Sequence, residues 1–249
     1  MKSVEARELG ERISDLVEAG QIAQAYEILS PVSAEHTPSA MLRLIGEPVG
    51  AGPLQEVNRF LERIAVDRTE GGWVVIASAL RGQLGRDLEG AFARCRQAII
   101  AADVWYAADI LGEGVVGEAL VAHFRPALEQ LTPWREDADP WVRRAVGVAV
   151  HFWAKRSQGA PEQEPEAGAL LALLEPMFWE WDMAVVKGVG WGLKTLGRYY
   201  SDRVAAWLAQ DVVPGQRRHR ALMLRKALTY LSDEQRARAT GQEPSGFQA

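Results

Sequence analysis

The segment MAVVKGVGWGLKTLGRYY, residues 183–200, is the part of this chain on which the fold prediction depends most. Apolar residues recur in it at the three- and four-residue spacing that places side chains on one face of an α-helix. The members of this apolar stripe are Met183, Val186, Val189, Leu193, Leu196 and Tyr200. The pattern predicts an amphipathic helix from Asp182 to Tyr200 whose apolar stripe faces a core.

The opposite face of this predicted helix carries cations and one large aromatic side chain. Its members are Lys187, Trp191, Lys194 and Arg198. Glycines 188, 190 and 192 surround the tryptophan, and each is about 1 kcal/mol less favourable than alanine inside a helix. Glycine lets another backbone or a ligand come close. Such a face suits a polyanion with flat rings, as in nucleic acid. Alternatively, Trp191 packs against a neighbouring helix and the cations are ordinary solvated side chains.

The composition indicates a soluble globular protein, with 48% hydrophobic and 24% charged residues. No apolar run reaches the roughly 20 residues of a membrane span, and the charged N-terminus lacks a signal core, so we expect a cytoplasmic protein with no membrane partner. The single cysteine, Cys95, excludes an intramolecular disulfide and a multi-cysteine metal site, and its apolar surroundings predict a core position. The four histidines show no metal-ligand spacing, so no metal is expected.

The net charge of −5 argues against a general nucleic-acid binder, but the charge is unevenly distributed. Residues 1–50 contain 4 Lys/Arg against 8 Asp/Glu, a net of −4. Residues 181–249 contain 11 against 6, a net of +5. Such asymmetry is expected when only one face of a protein meets a polyanion, although surface charges also segregate without purpose.

Every segment long enough to classify is predicted to be helical, and breakers are assigned at Pro31, residues 50–53, Gly71 and Gly72, Pro133, residues 158–165, and Pro214 and Gly215. No helix is predicted in residues 30–53. From Leu54 onward, helix pairs recur every 35 to 45 residues, which favours an all-α, HEAT-like α-solenoid of antiparallel helix pairs with a concave binding face. We predict one domain over residues 1–249, with N-terminal helices in 1–50, a surface insertion at 157–168 and a poorly ordered tail at 241–249.

Three further segments contain candidate site residues. Trp105 and Asp109 lie four residues apart in DVWYAADILGEG and would share a helix face, although Asp109 by itself is more simply a partner of the helix N-terminal dipole or a solvated acid. Arg144 lies off the apolar stripe of DPWVRRAVGVAV and by itself is a solvated arginine. A basic cluster comprises Arg217, Arg218, Arg220, Arg225 and Lys226. This cluster either faces solvent or, together with the cations of residues 183–200, contacts a phosphate backbone from both sides.

Four motifs occur in an order that resembles the AlkD-type DNA glycosylases of the DNA alkylation repair family. They are VWYAAD (104–109), DPWVRRAV (139–146), VVKGVGWGL (185–193) and LRKALTYLS (224–232). The resemblance covers about Trp73 to Ser232. It implies HEAT-like repeats and the excision of N3- and N7-alkylated purines from double-stranded DNA without base flipping.

The resemblance also implies a role for individual residues. Trp105 and Trp191 correspond to the tryptophans that pack against the alkylated nucleotide, Asp109 to the catalytic carboxylate, and Arg144 to the arginine near the lesion. Lys194 and Arg225 correspond to further cations directed toward phosphates, and we add Lys187 and Arg198 as DNA-backbone contacts from their helix face.

The chemistry of this reaction is compatible with such a site. Hydrolysis of an N-glycosidic bond builds positive charge on the sugar. An N7-alkylated guanine is already cationic and leaves as a neutral base, so one carboxylate suffices to stabilise the sugar and hold the attacking water. Indole rings beside the cationic nucleotide add roughly 0.5–2 kcal/mol each. The sequence therefore predicts a monomeric, monofunctional glycosylase that needs no cofactor.

Two other functions remain open at this stage. The first is a non-catalytic HEAT-repeat protein that binds distorted or branched DNA, for which salt-sensitive binding would survive loss of Asp109. The second is a protein-interaction scaffold without a DNA role, which the acidic N-terminal region favours.

Overall fold

A computed structural model describes residues 1–210 and 220–241 of the chain. All regular structure in these two ranges is helical, and neither range contains a strand. The chain divides into two compact units, Met1–Ala119 and Leu120–Ala249. The predicted all-α fold class is confirmed, whereas the assignment of residues 1–249 to one domain stays a prediction.

The first unit is built from seven helices followed by a π-helical turn, Gly112–Gly117. The helices are α1 (Ser3–Glu18), α2 (Ile22–Ala34), α3 (Ser39–Ala51), α4 (Leu54–Ala65), α5 (Glu70–Gln83), α6 (Leu88–Ala102) and α7 (Trp105–Leu111). Alternate helices pack side by side in two rows, with α1, α3, α5 and α7 in one and α2, α4 and α6 in the other. Trp73, Phe60 and Phe92 are among the largest side chains buried between these rows.

A short helix, α8 (Glu118–Ala122), leads into the second unit. The helices described there are α9 (Phe124–Leu131), α10 (Pro140–Ser157), α11 (Glu164–Leu174), α12 (Met183–Tyr199), α13 (Ser201–Ala209), α14 (Arg220–Ala227) and α15 (Asp233–Thr240). One row contains α10, α12 and α14, and the other contains α11, α13 and α15. Two rows of alternating helices, each packed on its neighbours, are the arrangement of an α-solenoid, so this part of the prediction is also confirmed.

Helix α3 is the main difference from the predicted elements, because residues 30–53 were expected to contain no helix. Pro48 lies inside α3, and Pro31 lies inside α2. Gly71 and Gly72 belong to the first turn of α5 and do not precede it. The breaker assignments at Pro31 and at Gly71 and Gly72 were therefore wrong, since tertiary packing overrides the local preference of proline and glycine.

The predicted surface insertion 157–168 is partly helical. Gln158 and Gly159 adopt left-handed backbone conformations that end α10, a short 3₁₀ turn covers Pro161–Gln163, and α11 begins at Glu164. Residues 157–166 are exposed or half-buried, as expected of a surface segment. Arg217, Arg218 and the predicted tail from 242 onward lie outside the described residues, and the side chain of Arg220 is not described.

Within residues 1–210 and 220–241, no helix combines the length and the apolar character that crossing a membrane requires.

Candidate nucleic-acid interface

Helix α12 is fixed by its N-cap and by a buried apolar stripe. The Asp182 carboxylate accepts hydrogen bonds from the backbone N–H groups of Ala184 and Val185, at 2.7 and 3.4 Å. The buried stripe consists of Val186, Val189, Leu193, Leu196 and Tyr200. Met183 was wrongly placed in this stripe: it is 41% exposed, because it lies one turn before Lys187 on the opposite face.

The predicted polar face of α12 is the face turned away from the core. Lys187 and Arg198 are exposed, and Trp191 and Lys194 are half-buried. Part of this face lines a cavity of about 590 Å³ inside the second unit, here called the cationic pocket. Its lining residues come from α10, α12 and α14: Arg144, Val186, Lys187, Trp191, Lys194, Leu222, Arg225 and Lys226. The structure thus brings together five of the predicted site residues in one cavity.

Among the described residues that line the cationic pocket, none has an acidic side chain. Among the described residues, no carboxylate lies within ion-pair distance of five cations on α12 and α14. These cations are Lys187, Lys194, Arg198, Arg225 and Lys226. Because nearby negative charge does not compensate them, they favour an anionic ligand. Lys226, which the site assignment omitted, belongs to this set.

Arg144 differs from the other cations because it is nearly buried, at 9% exposure. Its Nη1 donates to the backbone oxygen of Ala184 in the first turn of α12, at 3.0 Å. This bond holds the guanidinium at the wall of the cationic pocket. Arg143, its neighbour in sequence, instead forms an ion pair with Glu180 at 2.8 Å.

The glycines of α12 are explained by close packing between helices. A Cβ on Gly188 would lie 2.7 Å from the backbone oxygen of Arg144, and one on Gly192 would lie 2.7 Å from that of Gly147. A Cβ on Gly190 would meet only the side chain of Lys226, at 3.2 Å. Of the two alternatives from the sequence, close approach of another backbone is therefore the correct one at Gly188 and Gly192.

The indole of Trp191 stacks on His151, a residue that the sequence interpretation missed. The two ring centroids are 3.8 Å apart and the planes are inclined by 22°. Nδ1 of His151 lies 2.7 Å from Oγ1 of Thr195, which in turn donates to the backbone oxygen of Trp191 at 3.0 Å. Since a hydroxyl has a single proton, this chain of bonds requires that His151 Nδ1–H is the donor to Thr195. His151 and Thr195 thus fix the ring plane of Trp191.

The imidazole of His151 is neutral in the folded protein. Burial lowers the pKa of His151 to about 4, and the positive charge of Lys155 contributes to the same shift. The inner face of Trp191 is therefore backed by an uncharged ring, so no positive charge behind the indole opposes a cation at its outer face. His151 lies two helical turns after Arg144, and this spacing is the sequence signal that could have identified it.

Tyr230 extends the cationic face beyond the pocket. Its exposed ring lies in the 3₁₀ turn after α14, with Lys194 Nζ 5.4 Å and Arg198 Cζ 5.5 Å from its centroid. These distances are within the range of cation–π contact. The motif LRKALTYLS contains Tyr230, but its spacing did not identify it as part of the same surface.

Trp105 and Asp109 belong to the first unit. Asp103 has a left-handed backbone, with φ of 49°, that ends α6 and turns the chain into α7. Trp105, the first residue of α7, is 57% exposed and makes an edge contact with Tyr106 at 5.9 Å. Asp109 is half-buried one turn later and is accessible from solvent. The joint action of these residues with those of the second unit stays a prediction.

The described residues contain no cluster of three or more His, Cys, Asp or Glu side chains that could hold a metal ion. Cys95 is a core residue, as predicted, and burial raises the pKa of its thiol.

Residues 71–231 match the family described as "DNA alkylation repair enzyme". No curated protein and no solved structure matches the chain. The matched range includes α7 and the whole of the cationic pocket. With more than half of its length matched, the chain belongs to the DNA alkylation repair enzyme family.

Proposed function

We propose that this protein is a monofunctional DNA glycosylase that excises N3- and N7-alkylated, cationic purines from double-stranded DNA. It acts as a monomer, hydrolyses the N-glycosidic bond without flipping the base, and uses neither a metal nor another cofactor. Family membership supports a DNA repair enzyme. The more specific activity is our proposal.

The observation that carries this proposal is the composition of the cationic pocket. A half-buried tryptophan stands among cations of α12 and α14 that no described carboxylate neutralises, a composition that suits phosphates and a flat base together. We assign Lys187, Lys194, Arg198 and Arg225 to the DNA backbone, where cations displace condensed counterions. Arg144 and Trp191 are assigned to the lesion-bearing nucleotide, together with Trp105 from the first unit.

Asp109 is assigned the catalytic role. Departure of a neutral alkylpurine leaves positive charge on the sugar, and a carboxylate stabilises that charge and orients a water molecule for attack. The alkylated base needs no proton from the protein because it already carries a positive charge. A single accessible carboxylate such as Asp109 is therefore sufficient.

The test is release of 7-methylguanine from methylated duplex DNA by the unaltered chain and by the variant Asp109→Asn. We expect release above the spontaneous rate from the unaltered chain and a loss of at least about 100-fold in the variant, the scale of one electrostatic contact in a transition state. Asp103→Asn is the matched control, because it removes the same charge two residues before α7 at a site where asparagine tolerates the left-handed backbone. Absence of release by the unaltered chain would refute the proposal.

A second candidate is a family member that binds DNA without cutting it. The observation favouring it is that the described lining residues of the cationic pocket all belong to the second unit and include no carboxylate. In that case duplex binding would be salt-sensitive, would be unchanged in Asp109→Asn, and would occur without any base release.

A further inference from the structure

Two tryptophans in the second unit have no role in the proposed reaction and are turned to solvent. Trp179 is 60% exposed and Trp181 is 66% exposed, and they flank Glu180 just before α12. Tryptophan is a large apolar side chain, and two such rings exposed side by side mark a binding surface more often than a monomer surface. We call these two residues the tryptophan pair.

The tryptophan pair is held by the residue between its members. Glu180 has an extended backbone, with φ −65° and ψ 138°, so the side chains on either side of it project away from its own. Its carboxylate accepts from Arg143 Nε at 2.8 Å and from the backbone N–H groups of Trp181 and Asp182, both at 2.9 Å. The segment is thereby tied to α10.

The charge of Glu180 maintains this anchor. Burial alone would raise the pKa of Glu180, but the hydrogen bonds from Arg143 and from the backbone N–H groups of Asp182 and Trp181 outweigh it, and the net pKa is lowered. The carboxylate therefore stays ionised at neutral pH, and the two rings are presented from a fixed backbone.

The tryptophan pair adjoins the cationic face of α12. Asp182 caps the helix directly after Trp181, and the exposed Met183 precedes Lys187 by one turn on the same face. At a rise of about 1.5 Å per residue, the eight residues that separate Met183 from Trp191 in α12 span roughly 12 Å. A nucleic-acid strand covers that distance with about four nucleotides.

We propose that the tryptophan pair is a stacking site for unpaired nucleobases in the DNA that flanks the cationic pocket. Indole rings stack on any base whose flat face is uncovered, whereas the bases of an intact duplex are covered by their neighbours. Continuity with the cations of α12 indicates a nucleic-acid strand as the occupant, because the same strand places phosphates on Lys187 and bases on the rings. The inference rests on the DNA binding in the proposed function and adds that the bound DNA contains unpaired bases beside the cationic pocket.

The test compares the affinity of the full chain for two DNAs that differ only in whether the single-stranded tail carries bases. Both are duplexes with a single-stranded tail of about four nucleotides; one tail carries thymines, and the other carries abasic tetrahydrofuran residues with the same phosphates. We expect the thymine tail to bind about tenfold more tightly, within the range for stacking of one or two bases. Fluorescence anisotropy at constant salt measures both dissociation constants.

Variants assign that difference to specific rings. Trp179→Ala with Trp181→Ala should make the two tails bind equally, and Trp179→Phe with Trp181→Phe should keep much of the difference because a flat ring remains. Lys187→Gln is the matched control: it weakens both tails alike, since it removes a phosphate contact and no ring. Equal binding of both tails by the unaltered chain would overturn the inference, as would a difference that survives the double alanine change.

Release of 7-methylguanine from fully paired duplex by the unaltered chain is measured in parallel. A chain that excises but does not distinguish the tails refutes this inference alone. A chain that distinguishes the tails but does not excise refutes the proposed glycosylase and leaves the stacking site in place. A protein partner on the tryptophan pair would give no difference between the tails and would thus count against the inference.

Discussion

His151 is the residue whose environment has the most direct consequence for stability. It is buried against Trp191, and its folded pKa of about 4 is well below the ordinary value of 6.5. Below pH 6.5 the unfolded chain takes up a proton at this position, but the folded chain does not until about pH 4. The folded state therefore loses stability as the pH falls from 6.5 toward 4.

We expect this one residue to lower the free energy of unfolding by about 2 kcal/mol between pH 7.5 and pH 4.5. Urea unfolding of the chain and of His151→Phe at both pH values measures the effect. Phenylalanine keeps a flat ring against Trp191 but does not titrate, so the variant should lose less stability over this interval. Equal losses in the two proteins would contradict a lowered pKa, because they would show that His151 binds its proton at the same pH in the folded and unfolded chains.

At the scale of single residues, helical spacing predicted which side chains share the outer face of α12. It could not separate Arg143 from Arg144, which are adjacent and chemically identical. The structure places Arg143 on Glu180 and Arg144 against Ala184 at the cationic pocket. Their different roles depend on residues about 40 positions away, which no local pattern contains.

The packing of α10 on α12 depends on glycine at specific positions. Gly188→Ala places a Cβ 2.7 Å from the backbone oxygen of Arg144, which cannot move unless the two helices separate. We expect a loss of about 1–3 kcal/mol in the free energy of unfolding, despite the better helix propensity of alanine. Chemical denaturation measures this loss.

Gly190→Ala is the matched control two residues later on the same helix. Its Cβ would meet Cγ and Cβ of Lys226, at 3.2 and 3.5 Å, and no backbone atom, so a small shift of that side chain relieves the contact. We expect the variant to be as stable as the unaltered chain or up to about 1 kcal/mol more stable. If both alanine variants lost equal stability, helix separation would not be the cause.

Glycine also explains why one helix was missed from the sequence. Gly50 was interpreted as the start of a break at residues 50–53, but it lies inside α3, and a Cβ on it would lie 2.4 Å from the backbone oxygen of Ala79 in α5. The sequence alone does not distinguish a glycine required by close packing of a neighbouring helix from a glycine required by a turn. Amphipathic segments such as α4, predicted over 54–66 and observed at Leu54–Ala65, were predicted correctly because the spacing of their apolar residues lies within the helix itself.

At the scale of the whole molecule, the net charge of −5 conceals a local concentration of positive charge. The sequence placed an excess of cations toward the C-terminal end, and the row of α10, α12 and α14 explains how distant segments share one surface. Which of those cations lack a carboxylate partner could not be predicted, because ion pairing depends on contacts between helices.

This arrangement predicts a strong dependence of DNA binding on salt in an acidic protein. Each phosphate contact contributes about 0.9 to the slope of log affinity against log salt concentration. The double variant Lys187→Gln/Lys194→Gln should therefore lower the slope for an unmodified duplex by about 2. The control Arg59→Gln/Arg63→Gln changes the net charge equally, but it removes arginines of α4 that are paired with Glu56 and Asp67. The slope of this control should equal that of the unaltered chain, because binding responds to the cations that contact phosphate and not to total charge. Equal slopes in the two double variants would show instead that binding responds to the total charge.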